Sequence, residues 1–272
     1  MPEPWRTILT LVAGFVTGVM SGMFGVGGAV VSNPAIRALG ASPIQSVGST
    51  LPSILPSAIS GALRYHREGL LRMRIVIWTG LSGAVASIGG SLLSAVVPDA
   101  RFLTLTIALL IMYTAIRTGL AARPAQVPAD ESEVVGRDVP TEAVAAPADS
   151  AAPRLVAIGL VAGLFSGLLG IGGGLLLVPA FLTFLRLPLK ETLGTSLACV
   201  GIIAVPGTVT HAALGHIDWG FAIPLSIAVI PGARVGAALA IRASDRALRL
   251  AVATALSAVA IVYATSEVVA LL

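Results

Sequence analysis

Between Gly159 and Pro179 the chain reads GLVAGLFSGLLGIGGGLLLVP, and between Gly14 and Pro34 it reads GFVTGVMSGMFGVGGAVVSNP. In register, Gly14, Gly18, Ser21, Gly22, Gly25, Gly27, Gly28 and Pro34 fall on Gly159, Gly163, Ser166, Gly167, Gly170, Gly172, Gly173 and Pro179 at one constant offset. A match of that length is an internal duplication, so the fold must be built twice around this unit. Each copy lies in a run without charge, from Ile8 to Ile36 and from Leu155 to Leu185. About 30 residues is too many for one bilayer crossing, which takes roughly 20, and too few for two. The glycines cluster in mid-run, where an α-helix is weakest. Each run therefore reads as two short helical arms meeting at a glycine break, a re-entrant hairpin or a discontinuous helix. Non-helical backbone survives at membrane depth only where protein encloses it or it lines a watery cavity. The breaks mark a site.

Composition agrees: 56% hydrophobic and 11% charged residues describe a polytopic membrane protein, all-α in class. The 30 glycines suit helices packed at close range. A net charge of +4 does not point to nucleic acid, because the arginines stand at the ends of apolar segments, as membrane orientation requires. The single cysteine, Cys199, cannot form an internal disulfide, and no Cys/His spacing suits a metal. No cofactor is expected. The apolar N-terminus is not read as a cleaved signal, since the same pattern recurs in mid-chain.

After the first hairpin, Ser42-Pro43 reads as an N-cap with proline at the first helical position. The helix it opens runs from about Ile44 to Leu63 and meets a basic loop holding Arg64, Arg67, Arg72 and Arg74. Crossings are expected from about Ile75 to Val97 and from about Phe102 to Leu120. Residues 121–153 are rich in Pro, Ala, Asp, Glu and Ser without apolar periodicity, and read as a disordered cytoplasmic linker. The domain plan is thus a first transmembrane repeat over 1–120, the linker over 121–153 and a second repeat over 154–272. In the second repeat the order of loop charge is reversed: HAALGHIDW lacks Lys and Arg, while the following loop carries Arg242, Arg246 and Arg249. By the positive-inside rule the second copy is upside down. The expected architecture is therefore two inverted repeats, each a glycine-broken re-entrant hairpin plus three transmembrane helices, with both termini outside the cytoplasm.

The segments GLFSGLLGIGGGLLLVP, LGTSLACVG and HAALGHIDW in the second copy, with GMFGVGGAVVSNP and VGSTLPSIL in the first, resemble the sulfite exporter family TauE/SafE. The likeness covers both halves and omits only the linker. It implies a bacterial inner-membrane carrier of a small sulfur-containing anion such as sulfite, sulfoacetate or another organosulfonate. The pattern departs at Ala29, where the second copy has a third glycine, and at Asn33, where it has an aliphatic residue. The two halves of a site are then not equivalent.

Half-helix N-termini meeting near midplane aim unpaired N–H groups at an anion. On that reading Gly27, Gly28, Gly172, Gly173 and Gly174 let backbone approach the ligand, with helical arms beginning near Val30 and Leu175. Ser49, Thr50, Thr195 and Ser196, in the first turns of the following helices, are candidates to complete its hydrogen bonds, or to bond only their own helix. Arg234 is the one charge well inside an apolar segment, a candidate fixed cation or a side chain snorkelling toward the surface near Arg242. Cys199 reads mainly as apolar filler, His211 and His216 mainly as surface histidines with a gating or proton role as the second option, and Asn33-Pro34 as a helix start. No Asp or Glu is expected within a span, so a coupling ion is not demanded; moving an anion out of a negative-inside cell gains about 2.3 kcal/mol per charge per 100 mV. No nucleophile and base constellation suggests an enzyme, and GVGG and GIGGG lack the strand and acidic residue of a dinucleotide site. The alternatives to a carrier are an anion channel or facilitator and a carrier of another small organic anion. The partners are a small anion and lipid; oligomeric state stays open, a homodimer included.

Overall fold

The computed structural model describes residues 3–96, 152–170 and 172–248, with a few further positions up to 258. The described residues form helices and turns, with no strand among them: α1 (Glu3–Phe24), α2 (Ala29–Ala38), α3 (Pro43–Arg67), α4 (Met73–Val96), α5 (Ala152–Leu169), α6 (Gly174–Phe184), α7 (Leu189–Ala213) and α8 (Trp219–Arg242). The crossing expected at 102–120, nearly all of the linker and the last crossing lie outside the described residues.

Five helices, α1, α4, α5, α7 and α8, are long and apolar enough to cross a membrane. Helix α3 equals α7 in length at 25 residues, but it spends its core-facing positions on Ser46, Ser49, Thr50, Ser53 and Ser57, all buried. Meanwhile Ile8, Val12, Phe15, Leu81, Val85, Val209, Ile223 and Ile227 are exposed. A chain that turns isoleucine and valine outward and serine and threonine inward is suited to lipid as its solvent. This is a polytopic helical membrane protein.

Local signals set the ends of several elements. Ser42 caps α3 in a reciprocal capping box with Gln45, and Pro43 occupies the first helical position as expected. Three expectations change. The arms of each break are unequal, 22 and 10 residues in the first copy and 18 and 11 in the second. Asn33-Pro34 is not a helix start but lies inside α2, which begins at Ala29 directly after Gly28. Glu191 falls inside α7, in its first turn, where Arg72 grips it through Nε at 2.7 Å and a second nitrogen at 3.1 Å.

Helices α3 and α7 form a central antiparallel pair: Gly48 lies against His216, Ala58 beside Gly201, Leu197 beside Gly61, and Tyr65 against Gly194. Flanking them, Gly14, Gly18 and Gly22 of α1 touch the backbone of Leu225, Val229 and Ala233 of α8. Gly159, Gly163 and Gly167 of α5 touch that of Thr79, Gly83 and Ser87 of α4 in the same way. Both pairs are parallel, since contacts advance four residues together. Small residues let these backbones meet, and dispersion then holds helices that lipid cannot drive together. Each hairpin thus packs on a helix from the other half of the chain. At its outer end α1 starts with Arg6 4.5 Å over the Phe221 ring, and Ile36 near the end of α2 packs in the same cluster as Phe221.

Candidate functional site

Both glycine breaks are buried in the interior. Gly25, Gly27 and Gly28 have φ of 67°, 86° and 77°, and Gly170, Gly172 and Gly173 have 65°, 77° and 71°. Gly28 and Gly173 are the left-handed N-caps of α2 and α6, a conformation an L side chain adopts only at a cost of about 1–2 kcal/mol. Their carbonyls accept the first helical bonds, from Val31 and Ser32 in one case and Leu176 and Leu177 in the other. The N–H groups of Gly27, Gly28, Ala29 and Val30 meet no acceptor among the described residues. The breaks touch: a Cβ on Gly174 would lie 2.5 Å from Val26 Cα.

The four hydroxyl candidates stand around the breaks in matched pairs. Ser196 Oγ donates to Gly25 O at 2.8 Å, and Thr50 Oγ1 lies 3.3 Å from Gly170 O, with Asn33 Oδ1 and Val47 O also in reach at 3.1 and 3.0 Å. Each therefore approaches the leading glycine of the other copy. Ser49 Oγ accepts from Asp218 N at 2.8 Å, and Thr195 Oγ1 from Arg72 N at 3.2 Å, so both receive the chain as it enters the next helix of the other half. The hydrogens of Thr50 and Ser196 face protein oxygens.

The remaining candidates separate from the breaks. Arg234 is exposed on the outer face of α8, among Ile230, Val235 and Leu239, and does not line either break. Its spacing from Gly232 and Gly236, which face α1, directs it outward. Cys199 is fully buried in an apolar cluster with Leu51, Ile54 and Phe181. A cavity of about 550 Å³ lies at the other end of α5, lined by Arg154, Ile158, Val161, Leu176, Pro179 and Phe184. Its walls are mostly apolar, with Arg154 and Thr183 the polar residues among them, and it is separate from the two breaks.

Three side chains matter more than the sequence suggested. Asn33 Nδ2 reaches Leu169 O at 3.5 Å, tying α2 to the end of α5. Tyr65, fully buried, donates its hydroxyl to Gly22 O at 2.8 Å. His211, read as a surface residue, is instead fully buried with Nε2 3.1 Å from Gly167 O. The internal match pairs Gly22 with Gly167, so aligning the helices behind them would have set Tyr65 opposite His211 and marked both.

Comparison with known proteins bears on these features. A probable membrane transporter protein of Bacillus subtilis, YdhB, is 26% identical over 234 residues, covering 85% of this chain and 89% of that protein. A probable membrane transporter protein of Xylella fastidiosa is 26% identical over 239 residues, covering 87% and 86%. A second from Bacillus subtilis, YunE, is 24% identical over 243 residues, covering 85% and 88%. No solved structure matches. The family model described as sulfite exporter TauE/SafE matches residues 10–263, and the chain belongs to that family.

Proposed function

We propose that this protein is a secondary carrier that exports a small sulfur-containing anion, such as sulfite or an organosulfonate, across a bacterial inner membrane. The observation that carries the reading is the meeting of two buried glycine breaks, each followed at once by the N-terminus of a short helix. Gly27, Gly28, Gly172, Gly173 and Gly174 line the approach, the amides at the start of α2 supply donors, and the N-termini of α2 and α6 both supply a favourable dipole. Thr50 and Ser196 hold the breaks in place, while Ser49 and Thr195 fix the loops that lead into α8 and α4. The two copies are inverted repeats, a reading supported by the antiparallel course of α3 and α7, and each α1–α2 or α5–α6 unit is a re-entrant hairpin. Rocking one half against the other gives alternating access.

Thermal stabilisation of the purified protein against sulfite, thiosulfate, sulfate, sulfoacetate, taurine and simple carboxylates tests this. A shift for a sulfur anion that Gly173→Leu abolishes is expected. Shifts only for carboxylates or cations would overturn the substrate class. Counterflow in proteoliposomes then separates a carrier, which exchanges labelled for unlabelled anion, from a channel, which does not.

A further inference from the structure

The end of α7 holds chemistry that anion binding at the breaks does not use. His211 Nε2 faces Gly167 O at 3.1 Å, and because a carbonyl only accepts, that nitrogen carries a hydrogen. On the other side of the ring, Nδ1 lies 3.1 Å from Nδ1 of His216, in the loop that follows. Two nitrogens in that relation share one hydrogen. When the pair is neutral, His216 donates and His211 accepts. One added proton makes an imidazolium that donates to the neutral ring, and a second would set two N–H groups head to head. The pair therefore has room for one proton.

Its position links it to the second break. Gly167 is one turn before Gly170, whose carbonyl Thr50 approaches. Ser87 and Ser91 carry buried hydroxyls with no partner, and they stand 2.8 and 3.6 Å from where a Cβ on Gly207 would lie, one turn before His211. In the first half the corresponding places, around Gly22, are taken by Ala233 and Ala237, and Tyr65 replaces the histidine. Among the described residues, the titratable pair with unspent hydroxyls beside it lies in the second half.

We propose that His211 and His216 form a proton site coupled to the anion site, so that the anion is bound and carried together with one proton held by the pair. This rests on the reading that the anion binds at the breaks. A cation near the C-terminal ends of α5 and α7 is favoured by both helix dipoles, and it offsets the charge of an anion in a medium where charges are poorly screened. The charged side chains at the start of α8 and α1 nearest the pair in sequence and packing are Asp218 and Arg6, with Arg37 at the end of α2 beyond the Phe221 cluster. Asp218 Oδ1 accepts from Gly220 N, and Arg6 lies against Phe221 and beside Gly220. The adjoining parts of α3, α4 and α5 carry none. Partial burial holds His216 below the usual histidine range, so the empty pair is neutral near pH 7 and gains its proton with the anion.

Calorimetric titration of the full-length protein with sulfoacetate, a probe with no proton to exchange near neutral pH, tests this in two buffers of different ionisation enthalpy. Between about pH 6 and 8 the wild type should take up close to one proton per anion, with affinity rising up to tenfold per unit of falling pH. His211→Tyr, which copies the Tyr65 arrangement, should bind with no uptake and a flat pH profile. His216→Gln, in the loop, should do the same and serves if the first variant does not fold. Binding by the wild type without proton uptake, or uptake unchanged in both variants, would overturn the proton site and leave the anion site standing. No binding at any pH would instead remove the anion reading, and the proton site with it.

Discussion

Around Gly22, one turn before the first break, the polar groups are closed off: Tyr65 bonds Gly22 O, Ser21 is bonded to Ser57 Oγ at 2.7 Å, and α8 brings Ala233 and Ala237 against Gly22. Around Gly167, His211 closes the carbonyl, Ser166 has no partner among the described residues, and α4 brings Ser87 and Ser91 alongside. The backbone scaffold is the same in both. The carbonyls that receive Ser196 and Thr50 and the two left-handed caps recur at matching places. Duplication thus supplies two equal frames. Side-chain divergence then closes the surroundings of Gly22 and leaves Ser87, Ser91 and Ser166 about Gly167 without partners among the described residues.

The largest effect expected is on the frames themselves. Gly163→Val drives a branched side chain into the Gly83 backbone, and Gly18→Val does the same at Val229. Each should cost about 3 kcal/mol, the upper end for over-packing, and broaden the size-exclusion profile. If only one of the two does so, the frames are not equal.

Next come the caps. Gly28→Ala and Gly173→Ala each place a side chain in the left-handed region, for about 1–2 kcal/mol. Gly28→Ala should be the worse, because its Cβ also meets the Thr17 methyl at 2.6 Å, whereas Gly173 has Ala162 at that place. Denaturation midpoints rank them, and an inverted order would say that the first break relaxes more easily than its packing suggests.

Smaller still is the loss of one hydrogen bond. Tyr65→Phe should lose about 1 kcal/mol, equally at pH 6 and pH 8. The wild type itself should behave differently across that range. His216 is held below its usual value of 6.5, so the stability it contributes is present above that value and is lost as pH falls below it. A thermal midpoint that does not fall between pH 7 and 5, or that falls just as far in His216→Gln, would remove the titrating pair from the account.

The finest test is one of sign. Ser21→Ala strands Ser57 and should destabilise by about 1 kcal/mol, while Ser166→Ala removes a hydroxyl already without a partner and should be neutral or slightly stabilising. Equal losses would show that Ser166 has a partner in the working state, a bound water or the substrate.

What could be read from the chain follows from spacing. The doubled glycine pattern located both breaks, the arms were expected near Val30 and Leu175 and begin at Ala29 and Gly174, and Ser42-Pro43 announced α3. Less of the site was legible. The four hydroxyl residues were found by their distance behind the glycines, but what they bond is set by the other copy. Arg234 was visible as a charge, though not the outward face it occupies. His211 looked like a residue at a helix end and is enclosed by α5.

The sequence by itself determined the duplication, the apolar spans and the points where helix must stop, because these depend on local backbone preference and on the order of residues along one chain. Only the tertiary structure decided that α1 packs on α8 and α5 on α4, that Ser196 and Thr50 approach each other's breaks, and that Tyr65 and His211 close equivalent carbonyls. In lipid the outward face of a helix is as apolar as most of what its inward face packs on, so hydrophobic periodicity does not say which neighbour that inward face meets. That is settled where small residues on two helices coincide, and such a coincidence exists only once both are in place.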